Sequence, residues 1–252
     1  MNIPDATLRF SNRAGQYALY RPGYPEAIIS FLKNSIGLNP AQTIADIGSG
    51  TGFFSGLFLE AGYDVNAVEP NDNMRSAAED NLGMYQGFRS FKGSAEATGL
   101  EDHSVDLITV AQAFHWFRPL EAKKEFERIL KPSGHILLVW NILQHNTPFL
   151  AAYTRLKEKY SEILPLTNRA NLERIKEIFY PSPVITHSFS KVQYLNNEGI
   201  RGHLSSFSTV PEEGHPVFEQ MTDELDMLFH EYKEDGAVRI DYETKTYLIP
   251  SV

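Results

Sequence analysis

The sequence predicts an α/β fold in which a mostly parallel, doubly wound sheet carries helices on both faces. Between positions 43 and 140, short apolar runs alternate with segments of helical periodicity. Strands that are separated by helices need crossover connections, which produce parallel pairing. Positions 238–249 alternate polar and apolar residues at period 2 and predict a terminal strand. In such a sheet, ligands bind at the carboxyl ends of the strands.

The predicted elements follow one another in a regular order. A first helix begins near Pro25, after R-P-G-Y-P, and stops at Gly37. After this helix, the first five strands are predicted at 43–47, 64–69, 90–92, 105–111 and 135–140. The helices between them are predicted at 52–61, 72–82 and 120–130. The remaining elements are a helical stretch at 147–180, a sixth strand at 184–195, and helices at 197–206 and 216–233.

The composition excludes several kinds of site. The chain has 252 residues, a formal net charge of -9 and no cysteine. Disulfides, thiolate metal sites and a cysteine nucleophile are therefore excluded. A chain this acidic is a poor candidate for nucleic-acid binding, because that affinity comes from basic side chains on phosphates. The N-terminal segment has no apolar h-region, and no apolar run is long enough for a bilayer, so we expect no membrane partner and a cytoplasmic location.

A glycine-rich turn between the first strand and its helix is the strongest local signal. Gly48, Gly50 and Gly52 follow a buried strand that contains Asp46. A tight turn alone needs one glycine and seldom three at alternate positions, so the pattern predicts a close approach of backbone to a ligand. Asp46 must find donors because a buried carboxylate otherwise costs several kcal/mol. We expect these donors to be backbone amides of the turn or a ligand ammonium.

A carboxylate at the end of the second strand suggests that the ligand contains a ribose. Glu69 lies 21 positions after Gly48, where an acidic side chain can reach two ribose hydroxyls. Dinucleotide sites share this arrangement, but Phe53 stands where their motif requires glycine. Asp46 would also repel a nearby pyrophosphate. Both observations favour a cationic ligand with a ribose over NAD.

Five motifs in order resemble those of class I S-adenosylmethionine-dependent methyltransferases. They are D-I-G-S-G-T-G, V-E-P, G-S-A-E-A-T-G-L, D-L-I-T-V-A-Q-A-F-H-W-F and L-K-P-S-G-H, and the resemblance covers roughly residues 17–141. With R-P-G-Y-P and Y-E-T-K-T-Y-L, the chain looks most similar to the small-molecule branch that includes trans-aconitate methyltransferase-like proteins. The resemblance implies a Rossmann-like, seven-stranded sheet whose last strand is antiparallel and lies beside the fifth.

The resemblance also implies a set of residues that bind S-adenosylmethionine. Those expected around its methionine part are Asp46, Gly48, Ser49, Gly50 and Gly52, with Tyr17 and Arg21 closing over the carboxylate. Those expected at the ribose and adenine are Glu69, Pro70, Ser94, Ala95 and Glu96. Ser94 stands where the family often has an aspartate, and its hydroxyl is a weaker acceptor. Those expected at the methyl-donor end are Ala111 and Gln112.

The methyl acceptor is expected to be a small molecule with a carboxylate or a hydroxyl group. A carboxylate needs no base, whereas a hydroxyl needs one. His115 follows the fourth strand and either acts as that base or only packs in an aromatic wall with Phe114, Trp116 and Phe117. The other seven of the 8 histidines show no metal-ligand spacing, so no metal is expected. Basic residues of the helical cover could meet an acidic substrate, although helical charges more often face solvent: Arg155, Lys157, Lys159, Arg169, Arg174, Lys176 and Arg201.

We expect a single methyltransferase domain over residues 1–252. Its parts are an N-terminal cofactor-closing segment and helix (1–37), a cofactor-binding core (38–143), a helical substrate cover with the sixth strand (144–206), and a C-terminal helix with the last strand (207–252). Two other functions stay open at this point. One is an NAD(P)-dependent oxidoreductase, and the other is a non-catalytic protein that binds S-adenosylmethionine. The oligomeric state is not predicted.

Overall fold

The computed structural model describes residues 20, 22–161, 171–207 and 209–250. Within them the strands are β1 (Thr43–Ile47), β2 (Asp64–Val68), β3 (Phe88–Phe91), β4 (Val105–Ala111), β5 (Leu130–Leu143), β6 (Ile185–Leu195) and β7 (Val238–Pro250). The helices are α1 (Ala27–Ile36), α2 (Phe53–Glu60), α3 (Asp72–Leu82), α4 (Pro119–Ile129), α5 (Pro148–Lys159), α6 (Leu172–Phe179), α7 (Asn197–Ser205) and α8 (Phe218–Tyr232). A short 3₁₀ helix spans Phe114–Trp116.

The strands form one seven-stranded sheet in the order β3-β2-β1-β4-β5-β7-β6. Strands β1 to β5 are parallel, and β7 runs antiparallel to both β5 and β6. The predicted fold class is therefore confirmed, including the antiparallel last strand beside the fifth. The strand order reverses between β1 and β4, so the carboxyl ends of these two strands flank the crevice where a doubly wound sheet binds ligands.

Two strand predictions were wrong at their boundaries. The third strand spans Phe88–Phe91 rather than 90–92, and the fifth spans Leu130–Leu143 rather than 135–140. The pairing of β4 with β5 shifts register between Val105 and Leu107, which pair with Leu130 and His135. The strand therefore continues through Pro132–Gly134, where a turn was expected, and the extra residues are taken up by a bulge or irregularity in the pairing. The helical stretch at 147–180 contains α5 and α6, and residues 162–170 lie outside the described part of the chain.

Apolar side chains cover both faces of the sheet and form a third cluster in the cover. On one face, α4 and α6 pack against β5 through residues such as Phe126, Phe179 and Trp140. On the other face, α1 and α2 pack against the sheet. The third cluster joins α5, α7 and α8 to the first half of β7. Among the helices described, none is long and apolar enough to cross a membrane.

Candidate functional site

The glycine turn after β1 uses its three glycines for different reasons. All three have left-handed backbone, with φ of 68° at Gly48, 57° at Gly50 and 79° at Gly52. A Cβ atom at Gly48 would lie 2.8 Å from the Cβ of Ala113, and one at Gly52 would lie 2.4 Å from Cδ1 of Leu82. A Cβ atom at Gly50 would meet nothing within 4 Å. Packing thus explains Gly48 and Gly52, whereas Gly50 faces open space at the predicted ligand position.

Glu69 joins the end of β2 to the same turn. Its Oε2 accepts a hydrogen bond from the backbone N–H of Gly50 at 2.9 Å, and its Oε1 accepts one from Asn71 at 2.9 Å. The side chain is 8% exposed, and burial raises its pKa, although the two backbone donors oppose the shift. Each carboxylate oxygen can accept more than one hydrogen bond, so Glu69 keeps acceptor capacity for ribose hydroxyls.

Asp46 has donors other than those expected from the sequence. Its Oδ2 accepts from the hydroxyl of Ser55 at 2.6 Å, and its Oδ1 accepts from the hydroxyl of Thr109 at 2.8 Å. The residue is 1% exposed, and burial raises its pKa to about 6 against the opposing effect of both hydroxyls. The expectation that amides of the glycine turn supply the donors is corrected, because two hydroxyls on α2 and β4 and the backbone N–H of Ser55 do so, and a donor from a ligand ammonium stays a prediction. A contact of Asp46 with the ligand stays a prediction.

Two buried hydroxyl groups in the glycine turn have no hydrogen-bond partner among the described residues. They are the Oγ of Ser49 and the Oγ1 of Thr51. Buried polar atoms are paired in the great majority of cases, so each unpaired atom needs an explanation. Sequence reasoning included Ser49 but missed Thr51, which alternates with the glycines in the same motif.

The loop after β3 connects the site to the start of α4. Ala95 is buried, and the hydroxyl of Ser94 accepts from the backbone N–H of Glu96 at 3.3 Å. The Oε1 of Glu96 accepts from the backbone N–H of Arg118 at 2.8 Å. Glu96 therefore holds two loops of the site together. Pro70, after β2, is exposed at the same end of the sheet.

The end of β4 contains an unusual backbone conformation and an aromatic wall. Gln112 follows Ala111 with a φ of 58°, which is uncommon outside glycine and is often found at functional sites. Its Nε2 donates to the carbonyl of Asn141 at 3.3 Å. His115 lies in the 3₁₀ helix, partly buried, with its ring centroid 4.9 Å from that of Trp116. His115 therefore packs against its neighbour Trp116, while the aromatic wall and a role as base both stay predictions.

Other predicted residues either lie outside the described part of the chain or pair with side chains of the cover. Tyr17 and Arg21 lie outside the described residues, as does Arg169. Several cover cations have partners: Lys159 binds Glu224, Lys176 binds Glu173, Arg201 binds Asp226, and Lys157 lies over the ring of Phe207. These contacts favour the interpretation that these four charges face solvent or stabilise the cover. In the ranges that the structure describes, no group of three or more His, Asp or Glu residues could hold a metal ion.

Comparison with known proteins finds similarity to methyltransferases in the part of the chain that contains the glycine turn. Residues 45–138 match the family model of a methyltransferase domain. An uncharacterized methyltransferase of Schizosaccharomyces pombe is 33% identical over 151 residues, which are 60% of this chain and 59% of that protein. The chain spans 54% to 59% of the length of the first curated relatives that it matches.

Solved structures extend the likeness to most of the chain. One described as a type II methyltransferase of Anaeromyxobacter dehalogenans has a TM-score of 0.71 at 21% identity, over 92% of this chain and 99% of that one. The chain therefore shares the Rossmann-like fold of that structure. An N-methyltransferase of Haemonchus contortus, in complex with phosphomonomethylethanolamine and S-adenosylhomocysteine, has a TM-score of 0.56 at 16% identity, over 96% of this chain and 57% of that one. The narrower resemblance to trans-aconitate methyltransferase-like proteins stays a prediction.

Proposed function

We propose that the protein transfers the methyl group of S-adenosylmethionine to an oxygen atom of a small molecule. The observation that carries this proposal is the pairing of Gly50 with Glu69. Gly50 faces open space while its N–H holds the Glu69 carboxylate, so a glycine turn and a ribose acceptor meet at one place. The match of residues 45–138 to a methyltransferase domain supports it. The homocysteine product in the similarly folded Haemonchus contortus enzyme supports the choice of methyl donor.

The described residues fit the parts of this methyl donor. The glycine turn offers a close approach of backbone to the methionine part at Gly50, where a Cβ atom would meet nothing within 4 Å. Glu69 has acceptor capacity for the ribose, while the loop of Ser94 and Ala95 suits the adenine. Phe53 continues to disfavour a dinucleotide. When bound, S-adenosylmethionine supplies an electrophilic methyl group.

The chain itself must then orient the acceptor and exclude water. In-line placement of the reacting atoms can contribute about 7–11 kcal/mol to lowering the barrier. We infer that the aromatic wall of Phe114, His115, Trp116 and Phe117 forms one side of the acceptor site, since it directly follows Ala111 and Gln112. A carboxylate acceptor would need only this positioning, whereas a hydroxyl acceptor would also need a base, for which His115 is the candidate.

Thermal unfolding with candidate ligands tests the methyl donor. A ligand at about 100 times its Kd adds about 2.7 kcal/mol of stability. We expect S-adenosylmethionine and S-adenosylhomocysteine to stabilise the protein and NAD to have no effect. Stabilisation by NAD alone would overturn the proposal. Methyl transfer to members of a panel of small carboxylic acids and phenols would establish catalysis, and donor binding without any product would favour a non-catalytic binding protein.

The variant His115→Asn then separates the two acceptor classes. With a hydroxyl acceptor, we expect kcat to fall by about 10²–10⁴-fold and its dependence on pH to change, because the base is lost. With a carboxylate acceptor, we expect kcat to stay within about tenfold, because only packing is altered. The matched control is Trp116→Phe, which alters the same wall without removing a base.

A further inference from the structure

A short segment before α1 joins the cover to the start of α2, beside the glycine turn. This segment, called the strap, consists of Tyr20 and residues 22–25. Two carboxamide side chains hold its main chain. The Nε2 of Gln193 donates to the carbonyl of Tyr20 at 3.3 Å, and the Nδ2 of Asn141 donates to the carbonyl of Pro22 at 3.3 Å.

Packing fixes the strap at both ends. At the cover end, the Tyr20 ring lies so close to α7 that a Cβ atom at Gly202 would be 2.2 Å from two ring carbons. At the other end, the ring centroids of Tyr24 and Phe54 are 4.5 Å apart. Phe54 is the second residue of α2, which begins directly after Gly52. The strap therefore connects the substrate cover with the glycine turn.

The two amides lie on one face of the sheet, where each donates to the strap, and the Oδ1 of Asn141 also accepts from the hydroxyl of Thr244 at 2.6 Å. Asn141 on β5 pairs with Thr244, and Gln193 on β6 pairs with Ile240, two positions of β7 that share a face. The Oε1 of Gln193 is buried and has no hydrogen-bond partner among the described residues. The bond from Nε2 to Tyr20 is therefore the one hydrogen bond that the Gln193 side chain makes in the described part of the chain. The carbonyl of Asn141 accepts from Gln112, which links the strap to the methyl-donor end.

We propose that Asn141 and Gln193 are positioning residues that hold the strap over the methyl-donor site and thereby set the affinity for S-adenosylmethionine. The inference rests on the proposed function. The strap lies between the cover and the glycine turn, and the two amide donors stabilise its main chain in addition to the ring contacts at its ends. Loss of either amide would weaken this hold on the strap and give water more access to the bound methyl donor.

The variant Gln193→Met tests this role with the least disturbance. It keeps the length of the side chain and removes one hydrogen bond to the strap. We expect the Kd for S-adenosylhomocysteine, measured by calorimetry, to rise about three- to tenfold, as for the loss of one hydrogen bond. The KM for the methyl donor should rise in parallel. The Tm of the unliganded protein, kcat and the KM for the acceptor should be nearly unchanged. If Gln193 had only a structural role, its replacement would instead lower the Tm.

The matched control is Thr246→Val on the same face of β7. The Thr246 hydroxyl donates to the carbonyl of His187 and does not reach the strap, so the Kd should stay within about twofold of wild type. An unchanged Kd in Gln193→Met would overturn the inference while leaving the proposed function intact. Failure of the wild-type protein to bind S-adenosylhomocysteine would instead overturn the proposed function.

A second substitution, Gly202→Ala, displaces the strap without touching either amide. Alanine is a better helix former than glycine, so α7 should be retained while the Tyr20 ring is pushed away. The Kd should rise as in Gln193→Met, and the double variant should lose no more than about twofold beyond the larger single effect, because both changes act through one segment. Fully multiplicative losses would show that Gln193 acts elsewhere and would overturn the inference.

Discussion

The glycine turn has an inner side that faces the core and an outer side that faces open space. Each side has one carboxylate and one glycine, but the surroundings of these residues differ. On the inner side, Asp46 is held by two hydroxyls and Gly52 packs on Leu82. On the outer side, Glu69 is held by two backbone N–H groups and Gly50 faces open space. We infer that the inner pair serves folding and the outer pair serves the methyl donor. Substitutions on the two sides should therefore change different quantities.

Glu69→Gln should give the largest effect on ligand binding. The new side-chain amide at position 69 would place an N–H donor opposite one of the backbone N–H groups that now donate to the carboxylate, so that hydrogen bond would be lost. The substitution would also remove the charged acceptor for the ribose hydroxyls. We expect the Kd for S-adenosylhomocysteine to rise about 100-fold by calorimetry. The control is Glu60→Gln, an exposed carboxamide substitution at the end of α2 that should leave the Kd unchanged. If Glu69→Gln folds and binds within about threefold of wild type, Glu69 belongs with the inner, structural side.

Asp46→Asn should instead change how stability depends on pH. Burial raises the folded-state pKa from 3.8 to about 6. Between these values the folded protein binds more protons than the unfolded chain, so the free energy of unfolding falls as pH rises through this window and is constant above it. This contribution is about 2 kcal/mol between pH 4 and pH 7. Asp46→Asn should lack it, as measured by urea unfolding at several pH values.

The difference between wild type and Asp46→Asn isolates this one group. Carboxylates with lowered pKa, such as Glu125 at about 2 beside Arg128, give the opposite slope in both proteins. A difference that stays flat from pH 4 to pH 7 would contradict the assignment. A rise in the Kd for S-adenosylhomocysteine as large as that of Glu69→Gln would remove the distinction between the two carboxylates.

Gly52→Ala should destabilise the fold more than it weakens binding. The left-handed φ of 79° disfavours any L side chain, and the new Cβ would press on Leu82. We expect the free energy of unfolding to fall by about 2 kcal/mol in urea. The control is Gly56→Ala in α2, whose Cβ would meet Leu82 at an ordinary 3.5 Å. A fall in affinity without a loss of stability would place Gly52 on the outer side.

The sequence predicts the glycine turn with its two carboxylates, but it does not predict which of these residues face the core and which face open space. Its glycines, Asp46 and Glu69 could be identified because their spacing along the chain is local and ordered. Their surroundings could not, because Thr109 lies 63 residues from Asp46 and Leu82 lies in another helix. The predicted cofactor-closing segment contains the strap, but the amides that hold it were missed for the same reason, since Gln193 reaches Tyr20 across 173 positions. The parallel part of the sheet was predictable because alternating strands and helices require crossover connections, whereas the place of the antiparallel last strand followed only from the family resemblance and the irregularity in β5 depends on local pairing.

Gly50→Ala provides the smallest and most selective test of the outer side. Its φ of 57° is left-handed, so alanine there should cost about 1–2 kcal/mol of stability. Gly62→Ala is the matched control, because Gly62 also has positive φ and open space within 4 Å. Both variants should lose similar stability, but only Gly50→Ala should raise the Kd for S-adenosylhomocysteine, by about tenfold, since its methyl group would occupy ligand space. Equal Kd values in the two variants would mean that the open space at Gly50 is not where the methyl donor binds.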